Sequence, residues 1–202
     1  MSDPSPANGP FAAALGRAIE GLAPAVGRHL VPSTARSAHR GTLRRIWHRS
    51  PAGWVAARLL GLRGDARSPF DLENELVDDG DGGPAMTWRR AHSGGAGAIR
   101  GVGIVSWKPS DGVLVDQVGA PRWLEVELVP RVEDGALEMS SARQWIRLGR
   151  LRVRLPRWIF GSAETREWQE EDGRVGLSLT LRHPLFGSYA GYEAVLSPLE
   201  RS

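Results

Sequence analysis

The residues best placed to do chemistry are polar side chains that share the apolar face of predicted strands. In four segments, a polar residue occupies one of the alternating positions that otherwise carry large apolar side chains. A buried polar group needs a partner, so several such groups converging among aromatic rings describe an apolar pocket with a few orienting contacts. At the rim of a sheet, the same side chains would simply reach water. The candidate ligand-binding residues are Asn74, Trp88, Arg90, Arg143, Trp145 and His183.

A strip of arginines is the second candidate site. Arg150, Arg152 and Arg154 alternate with apolar residues, so in an extended strand the three guanidinium groups project from one face. Such a face could bind a phosphate or a carboxylate. Glu164 and Glu167 follow closely in sequence, which favours an acid-paired, solvated strand face over a nucleic-acid site.

Searches for catalytic, metal and cofactor motifs return no strong match. The sequence has no cysteine, which removes disulfides, thiolate nucleophiles and cysteine-ligated zinc. It also has no Gly-x-Ser-x-Gly elbow, and its five histidines lack the spacing of a helical metal site. Gly95, Gly97 and Gly101 precede a strand-like segment, whereas a dinucleotide phosphate site requires a helix there. The sequence therefore predicts no metal and no cofactor.

Composition narrows the class of protein. The 202 residues suit one large domain, and a hydrophobic content of 41% is enough for a core. The 26 basic residues are nearly balanced by 23 acidic ones, so we expect no nucleic-acid partner. No apolar run approaches the roughly 20 residues of a membrane span, and the first ten residues contain no signal-peptide core. These features predict a cytoplasmic protein without a transmembrane segment.

Two helical patterns stand in the first third of the chain. Residues 1–10 are predicted to be a disordered tail and residues 11–202 a single domain. Apolar residues between Phe11 and Leu30 recur at steps of three and four, which predicts a helix over 11–23, a break at Pro24 and a short turn over 25–31. After a predicted strand over 42–49, Ser50 and Pro51 predict the start of a helix over 52–62. That helix is apolar nearly all round, so we expect it to be buried against a sheet.

From Pro69 onward the hydrophobic period changes to two, and turn signals recur between the alternating segments. This pattern predicts antiparallel strands joined by hairpins, each with one apolar face. A flat sheet of about nine strands would expose that face, so it must curl around itself or around the helices. The predicted fold class is α+β, mainly antiparallel β. It consists of a strongly curved sheet or partial barrel of about nine strands, with an N-terminal helix and one helix inserted after the first strand, as in lipocalin-like and helix-grip folds.

Several short motifs accompany this order of elements. They are Gly41-Thr42-Leu43-Arg44-Arg45, Ala57-Arg58-Leu59-Leu60-Gly61-Leu62, Met86-Thr87-Trp88-Arg89-Arg90, Leu155-Pro156-Arg157-Trp158 and Pro184-Leu185-Phe186-Gly187. With them, about residues 11 to 197 of the chain resemble the bacterial domain of unknown function 4166 family. The resemblance implies that related domains occur alone or fused behind a dinucleotide-binding oxidoreductase domain. It implies no established activity and no catalytic residue.

The leading functional hypothesis is a non-enzymatic module that binds a small apolar or amphipathic molecule between the curved sheet and the helix over 52–62. The alternative is an interaction or accessory module that works with a dinucleotide-dependent oxidoreductase, and an enzyme is the third hypothesis. An interior filled by side chains would favour the accessory role. An enclosed pocket with a carboxylate and a histidine within reach of each other would favour an enzyme.

Overall fold

A computed structural model gives the fold over residues 9–31, 34–51, 53–55, 67–78, 84–92, 101–108, 110–119 and 122–199. The helices are α1 (Pro10–Leu15), α2 (Pro24–Leu30) and α3 (Arg157–Phe160), with a 3-10 helix over Gly16–Gly21. The strands are β1 (Arg36–His48), β2 (Pro69–Asp78), β3 (Pro84–His92), β4 (Gly101–Lys108), β5 (Val113–Val118), β6 (Leu124–Glu133), β7 (Ala136–Leu148), β8 (Leu151–Arg154), β9 (Ser162–Gln169), β10 (Val175–His183) and β11 (Gly187–Pro198).

The strands form one antiparallel sheet that closes into a barrel. Each strand pairs with the next one from β1 to β7 and from β9 to β11, while β7 also pairs with β9. Pairing between β1 and β11 joins the first and last strands. Ten strands therefore form the closed barrel, and β8 is an extra strand beside the end of β7.

The mainly antiparallel β fold is confirmed, but the number of strands and the closure differ from the prediction. The sheet has eleven strands, not about nine, and the barrel is closed, not partial. Two turns that the sequence pattern did not indicate divide residues 136–169 into β7, β8 and β9. Gly149 and Gly161 lie at these turns, and both adopt positive φ angles that glycine tolerates best.

Helices α1 and α2 plug one end of the barrel, which we call the closed end. Phe11, Leu15, Val26 and Leu30 are buried there in one cluster with strand residues such as Leu137. The turns between β4 and β5, β6 and β7, and β9 and β10 lie at this end. The chain breaks at Pro24, as predicted, and this residue is the first of α2. The predicted helix over 11–23 is wrong in its length, because α1 ends at Leu15 and a 3-10 helix follows from Gly16, which has a positive φ angle. Helix α1 begins at Pro10, and residues 1–8 lie outside the described part of the chain.

The opposite end, which we call the mouth, is where β1 and β10 finish and β9 and β11 begin. The segment after β1 starts a helix as predicted, because the Ser50 hydroxyl accepts a hydrogen bond from the Gly53 N–H at 3.0 Å. Trp54 and Val55 are nevertheless 47% exposed, so the prediction of burial is wrong for these two residues. The segment lies beyond the end of β1, where it packs through Gly53 against the Tyr189 carbonyl. The rest of the predicted helix, residues 52 and 56–62, is outside the described residues.

Two glycines leave room for large aromatic rings to lie against the inner wall of the barrel. A Cβ atom at Gly41 would lie 2.3 Å from the Phe70 ring, and one at Gly103 would lie 2.5 Å from the Trp88 ring. Both rings therefore lie flat against the inner wall across a neighbouring strand, instead of filling the centre. None of the described helices is long and apolar enough to cross a membrane.

Removing the Leu15 side chain tests the plug. We expect Leu15→Ala to lower the free energy of unfolding by about 2–5 kcal/mol, because it leaves a cavity between α1 and the sheet. The matched control is Leu148→Ala, whose side chain is exposed and whose loss costs within about 0.5 kcal/mol. Urea denaturation followed by circular dichroism measures both values. Equal values for the two variants would show that the helices are not part of the core.

Candidate functional site

A cavity of about 310 Å³ lies inside the barrel between the helices and the mouth. Phe11 and Leu30 border it at the closed end, and Phe160 and Tyr189 border it near the mouth. Eight strands form a barrel that side chains can just fill, so ten strands enclose more space than their side chains occupy. The volume is at the lower limit of the range for small-molecule sites.

Polar side chains from six different elements interrupt the apolar wall of this cavity. We call them the polar cluster; its members are His29, Asn74, Trp88, Arg90, Asp116, Thr165, Glu167 and Tyr192.

Arg90 on β3 stands at the centre of the polar cluster. Its guanidinium carbon lies 4.8 Å from the centroid of the Trp88 ring and 5.4 Å from that of the Tyr192 ring. The faces of the Trp88 and Tyr192 rings can both stabilise the cation through the ring quadrupole. The Arg90 Nε atom is buried and has no hydrogen-bond partner among the described residues. Arg90 therefore has a donor to offer to a molecule in the cavity.

Two carboxyl groups in the polar cluster have raised pKa values. Burial raises the pKa of Asp116 to about 6, although a hydrogen bond from Trp88 Nε1 at 3.0 Å and the charge of Arg90 act in the opposite direction. Burial raises the pKa of Glu167 to about 7, again against the effect of Arg90. Desolvation exceeds charge pairing at both sites. The Glu167 carboxyl can therefore gain or lose a proton near neutral pH.

Two histidines at the closed end of the cavity lie edge to face. The Nδ1 atom of His29 is 3.3 Å from the Nε2 atom of His39, and burial lowers the pKa of each ring to about 4. The charge of Arg90 is a second, smaller cause of the lowered pKa of His29. Both rings are therefore neutral at pH 7. The 3.6 Å contact between His29 Nε2 and Glu167 Oε2 is consequently no ion pair at that pH.

His29 and Glu167 are thus a histidine and a carboxyl group within reach of each other in one cavity, which is the arrangement that the enzyme hypothesis requires. A neutral imidazole beside a carboxyl group with a pKa of about 7 can exchange a proton with a bound molecule. No group of three or more His, Asp or Glu side chains within the described ranges is arranged to hold a metal ion.

The structure brings three of the predicted site residues to the cavity. Asn74 and Trp88 are directly opposite each other on β2 and β3, and Arg90 follows on the same face of β3. Asn74 is buried, as its position among the apolar residues of β2 predicted. Contact between these side chains and a ligand stays a prediction.

Arg143 and Trp145 lie on the outer face of the barrel, contrary to expectation. A β-bulge shifts the register so that Leu128 pairs with Ser141 while Glu127 pairs with Arg143. The extra residue reverses the alternation of β7, and Gln144 and Ile146 line the cavity beyond it. The Arg143 guanidinium instead pairs with the buried carboxylate of Glu127.

His183 lies at the mouth, as the last residue of β10. Its ring stacks on Phe186 with 4.7 Å between centroids, and its Nδ1 atom accepts a hydrogen bond from the Leu185 N–H at 3.2 Å. The bulge after Leu181 inserts its extra residue, Tyr189, in β11. His183 therefore keeps the parity of the inward residues of β10, but it lies beyond Leu181, the last residue of β10 that lines the cavity.

The arginine strip is divided between a turn and β8. Arg150 lies in the turn between β7 and β8, and Arg152 and Arg154 are on β8. The Arg152 guanidinium lies 3.9 Å above the centroid of the Trp145 ring and pairs with the buried Glu125. Acid pairing therefore exists for Arg152, with a partner from β6 and not from the glutamates that follow in sequence. Anion binding by the strip stays a prediction.

Sequence reasoning missed His29, His39, Asp116, Glu167 and Tyr192. Asp116 has a detectable signal, because it alternates with Leu114 and Val118 on one face of β5. Glu167 has none, since β9 is polar on both faces.

Comparison with known proteins places the chain in a family. The sequence model of the domain of unknown function family DUF4166 matches residues 11–196, nearly the whole chain. The chain belongs to the DUF4166 family. The resemblance found from the sequence motifs is thereby confirmed. No curated protein matches this DUF4166 domain. The crystal structure of Rv2717c from M. tuberculosis is similar to it, with 15% identity, a TM-score of 0.42, and coverage of 89% of this chain and 99% of that one.

The raised pKa of Glu167 makes the free energy of unfolding depend on pH, and replacing Glu167 should remove this dependence. The pKa is about 7 when folded against a reference value of 4.5, so the folded protein keeps a proton that the unfolded chain releases between these values. Stability from this group is full below pH 4.5 and is lost as the pH rises through 7. We therefore expect Glu167→Gln to gain stability relative to wild type between pH 4.5 and 8, by on the order of 2–3 kcal/mol.

Denaturant unfolding of wild type and Glu167→Gln at several pH values in this range measures the difference. The lowered pKa values of His29 and His39 give the opposite slope, but they contribute to both proteins and largely cancel in the comparison. Glu171→Gln, in the exposed turn after β9, is the control and should follow wild type at every pH. Parallel curves for wild type and Glu167→Gln would contradict the assigned burial of this carboxyl group.

Proposed function

We propose that this domain binds a small amphipathic molecule in the barrel cavity, with an oxygen-bearing polar end, such as a carboxylate, at Arg90. One observation carries the proposal: a mostly apolar cavity of about 310 Å³ inside the barrel has its polar groups gathered around a single cation. An interior filled by side chains would have favoured the accessory role. The role beside an oxidoreductase stays a prediction from the family resemblance.

Unpartnered polar atoms support the position of the polar end. Arg90 Nε, Thr165 Oγ1 and Glu167 Oε2 are buried and lack hydrogen-bond partners within the described residues, and all three side chains line the cavity. Leaving a buried donor or acceptor unpaired costs about 1–3 kcal/mol each, so a ligand that pairs with them recovers that free energy. A carboxylate is the natural partner of a guanidinium group, with which it forms charge-assisted hydrogen bonds.

The pKa of Glu167 supports an anionic or neutral polar end over a cationic one. When an anion enters beside Arg90, Glu167 can take up a proton at little cost, because its pKa is already about 7. The polar cluster then avoids holding two additional negative charges around one cation.

The remaining wall supports an apolar tail that extends toward the mouth. Leu124, Ile146 and Leu179 line this part of the cavity, and Phe160 and Tyr189 border it near the mouth. Apolar surface buried here contributes about 25 cal/mol per Å². The ligand class that fits both the polar cluster and the apolar wall is a short or medium-chain carboxylic acid or a molecule of similar polarity.

Calorimetric titration with decanoic acid and 1-decanol tests this proposal. We expect wild type to bind the acid more tightly than the alcohol. Arg90→Met should weaken acid binding about 10- to 100-fold, because it removes hydrogen bonds to a charged group worth about 1.5–3 kcal/mol. Binding of the alcohol should change much less. Arg89→Met is the matched control, because Arg89 is the neighbouring residue on β3 and is exposed.

Either of two titration results would contradict the proposal. One is the absence of saturable binding of both molecules by wild type. The other is an equal loss of acid and alcohol binding in Arg90→Met, which would indicate damage to the cavity and no contact with the carboxylate.

A second candidate function is proton transfer to or from the bound molecule, favoured by the 3.6 Å contact between His29 and Glu167. Glu167 has the pKa of a group that exchanges protons efficiently near neutral pH. If this pair acts on a carbon next to a carbonyl group, wild type in D₂O should exchange deuterium into 2-decanone faster than Glu167→Gln does. Mass spectrometry measures the exchange. Equal rates for the two proteins would exclude this activity for Glu167.

A further inference from the structure

Exposed large apolar side chains are concentrated at the mouth of the barrel. Among the described residues, Val129 is the exception, and the others belong to segments that lie beyond the ends of β1, β7 and β10. They are Trp54, Val55, Leu148, Leu151, Val153, Trp158, Ile159, Phe160, Leu185 and Phe186. The exposed fraction reaches 69% at Trp158 and 80% at Leu185. A concentration of this kind on one end of a protein marks an interaction surface.

Backbone contacts hold these segments together around the mouth. The Arg49 N–H donates to the Tyr189 carbonyl at 2.9 Å, and the Tyr189 hydroxyl donates to the Phe160 carbonyl at 3.3 Å. Gly161 packs directly on the Arg182 carbonyl, which ties α3 to the end of β10. Phe160 is both exposed and part of the cavity wall, so the apolar surface continues into the cavity.

Described segments at the two ends of the barrel differ in charge. Segments 48–55, 147–161 and 182–187 at the mouth contain seven arginines and no acidic residue. Arg147 and Arg152 pair with Glu125 and Arg182 pairs with Glu164, while the other four arginines are exposed. Turns 110–112, 133–135 and 170–174 at the closed end instead contain six acidic residues and one arginine.

We propose that the mouth docks on an anionic lipid bilayer, with the aromatic and aliphatic side chains in the interface and the exposed arginines on lipid phosphates. A surface that inserts into the headgroup region of a bilayer is typically composed of tryptophan, phenylalanine and leucine flanked by basic residues such as arginine. Each arginine near an anionic membrane surface adds about 1 kcal/mol of attraction. The acidic closed end is repelled by the same surface, so the charge division sets the orientation.

A second copy of the chain fits this surface less well. Two mouths placed face to face would bring Arg49, Arg154 and Arg157 against the same residues of the other copy, with no acidic residue in these segments to compensate. An anionic bilayer supplies the missing negative charge at every position. The residues of this surface are exposed, so the docking does not depend on the identity of the cavity ligand.

Vesicle co-sedimentation of the full chain tests the docking. We expect wild type to bind vesicles of phosphatidylcholine with 30% phosphatidylglycerol, to bind pure phosphatidylcholine weakly, and to lose most binding in high salt. Arg154→Ser with Arg157→Ser should lower the partition coefficient by about fivefold per arginine. Trp158→Ser with Phe186→Ser should lower it as well, since both side chains are exposed at the mouth.

Matched controls separate the mouth from the rest of the surface. Arg17→Ser with Arg28→Ser makes the same charge change on exposed residues at the closed end and should leave binding unchanged. Val129→Ser should also have no effect, whereas Val55→Ser, at nearly equal exposure but at the mouth, should weaken binding. Absence of binding to anionic vesicles would overturn the proposal, and self-association that is lost in the Trp158→Ser, Phe186→Ser variant would assign the surface to a protein interface instead. Equal effects of mouth and closed-end variants would overturn it too.

Discussion

Pairing between β1 and β11 is the interaction on which the rest of the structure depends. The chain runs as an antiparallel meander, and this single pairing between its first and last strands removes both open edges of the barrel. With ten strands in the closed ring, the interior is wider than its side chains fill, so closure also creates the cavity. Of the described helices, α1 and α2 cover the closed end. The site is therefore a consequence of the number of strands in the ring.

Inside that ring, the residues of the polar cluster interact through aromatic rings and through the charge of Arg90 more than through direct ion pairs. Arg90 lies over Trp88 and Tyr192, and its charge reaches Asp116 and Glu167 without overcoming the cost of burying those carboxyl groups. Such a cluster stabilises the fold poorly, because unpaired buried groups cost free energy. Unpaired buried polar groups are expected in a binding site without its ligand. In a core selected for stability, such groups would be paired or replaced by apolar ones.

The part of the site that follows regular alternation could be predicted from the sequence. Asn74, Trp88 and Arg90 lie on strands without bulges, so counting positions from their apolar neighbours places them inside correctly. Arg143 follows a bulge that one strand's pattern does not reveal, since the bulge is defined by the register with β6. Glu167 lies on a strand with no apolar alternation, and its burial depends on neighbours distant in sequence. Closure of the barrel depends in the same way on strands about 150 residues apart, which the local period of two does not specify.

The central claim is that the cavity holds an amphipathic molecule whose polar end contacts Arg90 and whose tail points to the mouth. A crystal structure of the protein grown with decanoic acid tests it most directly. We expect a carboxylate within hydrogen-bond distance of Arg90 and an acyl chain along Leu179 toward Phe160. A cavity containing only ordered water, or a chain bound in the reverse direction with its carboxylate at the mouth, would contradict it.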